Sequence, residues 1–272
     1  MQTSHALADI KKVKANDGVS IAFQTAGSGS RTVLAVHGWG GAGSGHSWRE
    51  VIKHLDLTDV KFAAIDLRGH GESGQPDGGF TLEQFGHDIL AVAEDIGADK
   101  FVLVGYSMGG RWSQWISCAF PQRVLGQILI APAPAGALPL GKELLDSWIH
   151  ETSDRESFEI WLRQFTCEPL SDEVIDGYFR DLSRASNIAK TETFWMCVRD
   201  DFRYRLVGTQ ASTLIIAGEH DPIFSPDFLR QEIASLLPRA RLVRVDCGHE
   251  IPVEKPAQAA ALIEAFLTAL PE

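Results

Sequence analysis

The chain has 272 residues, 44 % hydrophobic and 22 % charged, so it has material for a sizeable core and lacks the composition of a disordered polymer. Its 25 basic and 36 acidic residues leave a formal net charge of −11 at pH 7. With no basic stripe to offset it, that charge repels phosphate backbones and excludes nucleic acid as an expected partner.

The opening residues, MQTSHALADIKKVK, carry no apolar stretch of the signal-peptide kind. No run approaches about 20 apolar residues, so no membrane span is expected. The resulting expectation is a cytoplasmic monomer or homodimer that acts on a small molecule, away from membranes. Residues 19–26 (VSIAFQTA) predict an early strand, and 32–36 (TVLAV) a buried one ending in His-Gly. Similar apolar runs follow at 61–66, 101–105, 127–131, 213–217 and 241–246. Helical patterns lie between them at 48–55, 82–96, 110–120 and 226–237, with a last helix over 256–270 that has Pro256 in its first turn. Strands alternating with helices predict an α/β protein with a parallel sheet covered on both faces.

The alternation breaks between about 134 and 207. This segment holds KELLDSWIHE, FEIWLRQF and DEVIDGYFRDL, together with Trp148, Trp161 and Trp195, and has no strand-like run. It reads as a helical cap over a site, against the alternative of a surface bundle that only buttresses the core. The expected division is a core domain of residues 1–133 and 208–272, with a cap (lid) domain of 134–207.

Gly38-Trp39-Gly40-Gly41-Ala42-Gly43 fits the G-x-G-x-x-G dinucleotide fingerprint, and Asp66 closes the next strand. The third glycine should sit in the first helical turn. Here Ser44-Gly45-His46 intervene, and helix signals start near Ser47, a plausible N-cap. Asp66 also runs straight into the turn Leu67-Arg68-Gly69-His70-Gly71-Glu72-Ser73. Nucleotide binding is therefore set aside. The four cysteines, Cys118, Cys167, Cys197 and Cys247, form no C-x-x-C pair and read as free buried thiols in a reducing compartment. No metal or organic cofactor is implied.

Gly105-Tyr106-Ser107-Met108-Gly109 is a G-x-S-x-G motif. Alone it is weak, but it follows the apolar run FVLVG and precedes a helical pattern with Trp112, Trp115, Ile116 and Ala119 on one face. A serine on a tight strand-to-helix turn projects its hydroxyl away from the sheet, and the helix N-terminus favours negative charge there. A serine nucleophile needs a base, and the base an orienting acid. Asp221 lies just past the strand at 213–217, with Glu219 and Asp246 as alternatives. His249 lies just past the strand at 241–246, against the alternative of an ordinary loop histidine. His220 is read as structural. Loops at the carboxyl ends of parallel strands share one sheet edge, so Ser107, Asp221 and His249 can converge. The backbone N–H groups of Met108 and Trp39 are the expected oxyanion donors.

The motifs VHGWGG, DLRGHGES, VGYSMGG, AGEHDPI and CGHEIPVEKP, in this order, resemble the α/β-hydrolase superfamily over nearly the whole chain. The resemblance implies an eight-stranded, mostly parallel sheet flanked by helices, with a helical cap insertion. It implies Ser107 as nucleophile, His249 as general base and acid, Asp221 as orienting acid, and the N–H groups of Trp39 and Met108 as the oxyanion hole. A serine at the elbow argues against haloalkane dehalogenases and epoxide hydrolases, which use aspartate. A carboxylic ester or lactone is the most economical substrate; C–C bond hydrolases and serine haloperoxidases keep the same triad.

Locally, Tyr106 to Arg111 is similar to the elbow of the menaquinone-pathway synthase that eliminates pyruvate. There the matching tyrosine and arginine contact the substrate, whereas Arg111 could equally be a helix-surface residue. A triad-bearing ligand receptor, as among plant hormone receptors of this fold, is a further alternative. The residues expected to contact substrate are Trp39, Tyr106, Arg111, Trp148, Trp195 and Ile223.

Overall fold

The computed structural model describes residues 6–41 and 46–271. After β1 (Lys11–Lys14), β2 (Ser20–Ala26) and β3 (Arg31–Val36) come α1 (His46–Ile52), β4 (Val60–Asp66) and α2 (Leu82–Asp95). Then follow β5 (Phe101–Tyr106), α3 (Met108–Ala119) and β6 (Val124–Ile130). Five helices come next: α4 (Lys142–Glu151), α5 (Arg155–Arg163), α6 (Asp172–Ser183), α7 (Asn187–Arg199) and α8 (Arg203–Leu206). The chain closes with β7 (Ser212–Gly218), α9 (Pro226–Glu232), β8 (Ala240–Val245), α10 (Ile251–Glu254) and α11 (Pro256–Ala269). The eight strands form one sheet in the order β1-β2-β4-β3-β5-β6-β7-β8. β2 runs antiparallel to both neighbours, and every pair from β4 to β8 is parallel.

The two faces of the sheet hold two separate cores, because successive side chains of a strand point to opposite sides. Leu34, Val36, Ile65, Leu103 and Ile215 meet α2, α3 and the α4–α7 helices through Phe85, Trp112 and Phe158. Their neighbours Val33, Ala35, Phe62, Val102 and Leu214 meet α1 and α11 through Trp48 and Ile263. Burial on both faces explains why the central strands read as unbroken apolar runs rather than alternating ones.

The helix starts are legible residue by residue. Thr81, Asp154, Ser171, Ser186 and Ser225 each accept a hydrogen bond from the backbone N–H three residues on, and Pro226 occupies the first turn of α9. Several boundaries differ from the sequence expectation. β6 starts at Val124, and α9 ends at Glu232 before a separate 3-10 turn, Ala234–Leu236. α1 begins at His46, so Ser47 lies inside the helix instead of capping it. Residues 42–45, the end of the glycine-rich segment, lie outside the described residues. Cys197 and Cys247 are buried and Cys118 half-buried, but Cys167 is exposed, against the expectation of four buried thiols. No helix among the described residues is long and apolar enough to cross a membrane.

The turn after β4 is fixed by a buried ion pair. Arg68 Nε and Nη2 donate to Asp88 Oδ2 and Oδ1 at 2.6 and 2.7 Å, and both side chains are fully buried. Arg68 Nη1 also donates to Asp17 Oδ2 at 2.8 Å. Breaking such a pair from one side strands the other charge. Asp88→Asn is expected to cost about 3–5 kcal/mol of stability, read by urea denaturation; a loss below about 1 kcal/mol would show that the pair is not an anchor.

Candidate active site

Ser107 is the single residue between β5 and α3, and its backbone sits at φ 51°, ψ −118°. A side-chain-bearing residue at positive φ costs about 1–3 kcal/mol and must be held there by its surroundings. Three bonds hold it: Ser107 N–H donates to Ile130 O at 2.9 Å, and Ser107 O accepts from Gly110 N–H at 2.9 Å and Ala133 N–H at 2.8 Å. The flanking glycines are steric requirements. A Cβ on Gly109 would lie 2.2 Å from Val36 O, and one on Gly105 would lie 2.4 Å from Ser113 Oγ. α3 therefore begins right against β3, with its N-terminus beside the serine.

Asp221 follows β7. Its Oδ1 accepts from the N–H groups of Ile223 and Phe224 at 2.7 and 2.9 Å, which turns Oδ2 towards His249. His249 follows β8, and its own N–H donates to Phe165 O at 2.7 Å. Nδ1 of His249 is 2.7 Å from Asp221 Oδ2, and Nε2 is 2.9 Å from Ser107 Oγ. Asp221 and His249 are both about 95 % removed from solvent (5 % and 4 % exposed).

Burial pushes the Asp221 carboxyl up, but the charge and hydrogen bond of His249 and the two N–H donors outweigh it, and its pKa is lowered. Burial likewise pulls His249 down, but Asp221 outweighs it, and the imidazole pKa is raised above 6.5. An ionised Asp221 only accepts, so Nδ1 carries the hydrogen in the neutral ring and Nε2 is left to accept from the serine hydroxyl. The alternative carboxylates are engaged elsewhere: Glu219 with Arg244 at 3.1 Å, and Asp246 with His220 at 2.9 Å.

Met108 is the first residue of α3, so its N–H has no partner within the helix. Gly38 brings the loop after β3 close, since a Cβ there would lie 3.2 Å from Ser107 Cβ. Trp39 follows it.

A cavity of about 40 Å³ opens at the serine. Gly38, Trp39, Tyr106, Ile223, His249 and Glu250 line it from the α/β core, and Trp148, Trp161 and Phe165 from the helical segment. Trp39, Trp148, Trp161 and Phe165 pack ring to ring, with centroids 4.8–6.5 Å apart. Of the expected contact residues, Trp39, Tyr106, Trp148 and Ile223 are thus present.

Two are not. Trp195 packs edge-on against Phe194 at 5.5 Å and does not line the cavity. Arg111 is neither a surface residue nor a pocket residue: it is fully buried and donates to the carbonyls of Pro134, Gly136, Met196 and Asp200. Burial lowers its pKa. Its guanidinium stitches α3 to both ends of the helical segment. Four lining residues were not among the expected site residues: Gly38, Trp161, Phe165 and Glu250. Glu250 stands next to His249 and is 3 % exposed, and burial raises its carboxyl pKa. A carboxylate between a base histidine and an apolar run was the available signal.

The family model for the alpha/beta hydrolase fold matches residues 31–159. A Bacillus subtilis protein named provisionally as a 2-succinyl-6-hydroxy-2,4-cyclohexadiene-1-carboxylate synthase is 26 % identical over 95 % of this chain and 98 % of its own. Lipase LipV of Mycobacterium tuberculosis is 27 % identical over 88 % and 94 %. Among solved structures, a thermophilic esterase from Thermogutta terrifontis is 25 % identical, with a TM-score of 0.78 over 96 % of this chain and 98 % of its own. The chain has the α/β-hydrolase fold.

Removing Arg111 would take a donor from four backbone carbonyls, of which Met196 O keeps the N–H of Asp200 at 3.1 Å. Arg111→Ala is expected to lower stability by about 2–4 kcal/mol. It should change kcat/KM for neutral and carboxylate-bearing esters by the same factor, read by urea melts and paired kinetics. A loss confined to the carboxylated substrate would instead make Arg111 an anion-binding residue.

Proposed function

We propose that this enzyme is a serine hydrolase of small, neutral carboxylic esters or lactones. The observation that carries the reading is the buried chain Asp221 Oδ2–His249–Ser107 Oγ, with links of 2.7 and 2.9 Å, opening on an aromatic cavity. Ser107 Oγ attacks the ester carbonyl while His249 Nε2 takes its proton. The N–H groups of Trp39 and Met108 stabilise the oxyanion. The C–O bond breaks as His249 returns the proton to the leaving alkoxide, leaving an acyl-enzyme on Ser107. Water then bonds to the acyl carbon while giving a proton to His249, the acyl C–O bond to Ser107 breaks, and His249 returns the proton to Ser107 Oγ as the acid leaves. Residues 134–207 act as the cap.

The cavity gives roughly three water-sized groups of room at about 10–15 Å³ each, which favours a short acyl chain. Among the described residues, the lining includes no lysine or arginine. That, with Arg111 spent on backbone carbonyls, weighs against the anionic substrate of a synthase like the one named for the Bacillus relative. The likeness to a lipase and an esterase supports ester chemistry.

Only neutral His249 can accept the serine proton, and its pKa is raised above 6.5. Activity should therefore be low in acid and rise through one ionisation above pH 6.5. Asp221→Asn removes the charge that raises it, so the midpoint should fall and kcat drop by about 10⁴-fold. A profile flat from pH 5 to 9 would rule out the histidine base. Independently, a fluorophosphonate probe should label the wild-type protein once and leave Ser107→Ala unlabelled; labelling that survives the substitution would place the nucleophile elsewhere.

A further inference from the structure

The oxyanion donor assigned to Trp39 belongs to the peptide bond between Gly38 and Trp39, and that peptide's own sequence does not fix which way it faces. Glycine is required at position 38 for the close approach, because a Cβ there would lie 3.2 Å from Ser107 Cβ and 3.4 Å from the Tyr106 ring. A glycine backbone is permissive, so the peptide plane can turn over at little cost and carry the N–H away from the serine. The C=O and N–H of a trans peptide point in opposite directions. Whatever holds Gly38 O therefore aims Trp39 N–H.

The imidazole of His37 holds it. Nδ1 of His37 is 2.8 Å from Gly38 O, and Nε2 is 3.0 Å from the backbone N of Leu67. A backbone N–H only donates, so Nε2 is the bare nitrogen, and Nδ1 carries the hydrogen and donates to Gly38 O. The ring is fully buried, and burial pulls its pKa down to about 4, so it stays neutral wherever His249 can act as a base. Leu67 lies within reach because β3 and β4 are parallel neighbours in register up to Val36 and Ile65, and the turns that follow them leave the sheet side by side. Trp39 is tied at its side chain as well, since its Nε1–H donates to Lys190 O of α7 at 2.9 Å.

We infer that His37 is a positioning residue for the reaction: its Nδ1–H locks the Gly38–Trp39 peptide with the N–H turned towards the oxyanion. The inference rests on the esterase reading, with Trp39 as an oxyanion donor. His37 does not line the cavity, so it acts through the loop and not on the substrate. A hydrogen bond at the carbonyl end also polarises the peptide and strengthens its N–H as a donor.

The test compares His37→Leu, which removes the donor, with His37→Asn, whose amide N–H can still reach Gly38 O. Kinetics with p-nitrophenyl propanoate are expressed per active site, counted by fluorophosphonate labelling. His37→Leu should lower kcat about 100-fold with KM little changed, the low end of the loss when one oxyanion donor is removed. His37→Asn should recover to within about tenfold of the wild type. Ethyl trifluoromethyl ketone gives a readout without turnover. Its carbonyl carbon bonds to Ser107 Oγ, the serine proton passes to His249 Nε2, and the carbonyl π pair goes to oxygen, so the adduct carries the oxyanion. Its affinity should fall in parallel with kcat/KM across the three proteins. Wild-type kcat and ketone affinity in His37→Leu, or equal losses in both variants, overturn the proposal. The tautomer is read by NMR on wild-type protein with isotope-labelled histidine, whatever the variants' folding; a hydrogen on Nε2 of His37 also overturns it. If the wild type hydrolyses no ester while the ketone binds about 100-fold more weakly to His37→Leu, the esterase reading fails and the positioning role stands.

Discussion

Ser107 can turn its hydroxyl out of the sheet only because its backbone is held at φ 51°, a conformation that side-chain-bearing residues rarely adopt. The rest of the site depends on that one strained residue. The strain is offset by the carbonyl and amide bonds to Ile130, Gly110 and Ala133, which tie the elbow to β6 and to the segment after it. It also requires that α3 start in contact with β3, which only glycine at position 109 allows. The order β3-β5-β6-β7-β8 then places the ends of β3, β5, β7 and β8 along one sheet edge. Those ends deliver Gly38, Ser107, Asp221 and His249 in turn. The juxtaposition of these residues is therefore a consequence of strand order, and no long-range loop is needed to assemble it.

Much of this was legible in the sequence. The parallel strands are buried on both faces, so 32–36, 101–105 and 213–217 stood out as continuous apolar runs. The positions of Ser107, Asp221 and His249 followed from the strand ends. β1 did not stand out because KKVK is a short, mostly exposed edge strand, with lysines where an apolar pattern would have marked it. The helical segment was read as helical for the right reason, the 3.6-residue period of α4 to α6, but which of its aromatics face the serine depends on how the helices pack. Trp148 and Trp195 look alike in sequence; one meets Trp39 at 5.2 Å and the other turns to Phe194.

Arg111 shows where local likeness misleads. An arginine four residues after a nucleophilic serine suggests an anion site when read from the motif alone. What decides its role is the return of the chain at Pro134 and Gly136 and again at Met196 and Asp200, 23 to 89 residues away. Nothing within a window around the elbow encodes that. The same four carbonyls explain why a guanidinium is needed there: only its several donors in a planar fork can serve acceptors arriving from both ends of the helical segment.

That segment is anchored in more places than a swinging lid would be. Besides Arg111, Trp39 Nε1 donates to Lys190 O at 2.9 Å. Phe165 O accepts from the N–H of His249 itself. Glu254 adds a third tie beside the base: its Oε1 accepts from Gly248 N–H at 3.1 Å, and its Oε2 from the N–H groups of Cys167 and Glu168 at 2.6 and 3.2 Å. Moving the helices as one body would break these ties together. It would expose the Trp39–Trp148–Trp161–Phe165 cluster and leave Glu254 with one of its three donors. Opening that spares this cost has to be local, in side chains or single helices, while the stretch that touches His249 stays in place. The loop carrying the base and the wall of the pocket are in this sense one structural unit. A substrate group pressing on Phe165 or Trp161 therefore acts on the same backbone that positions the imidazole.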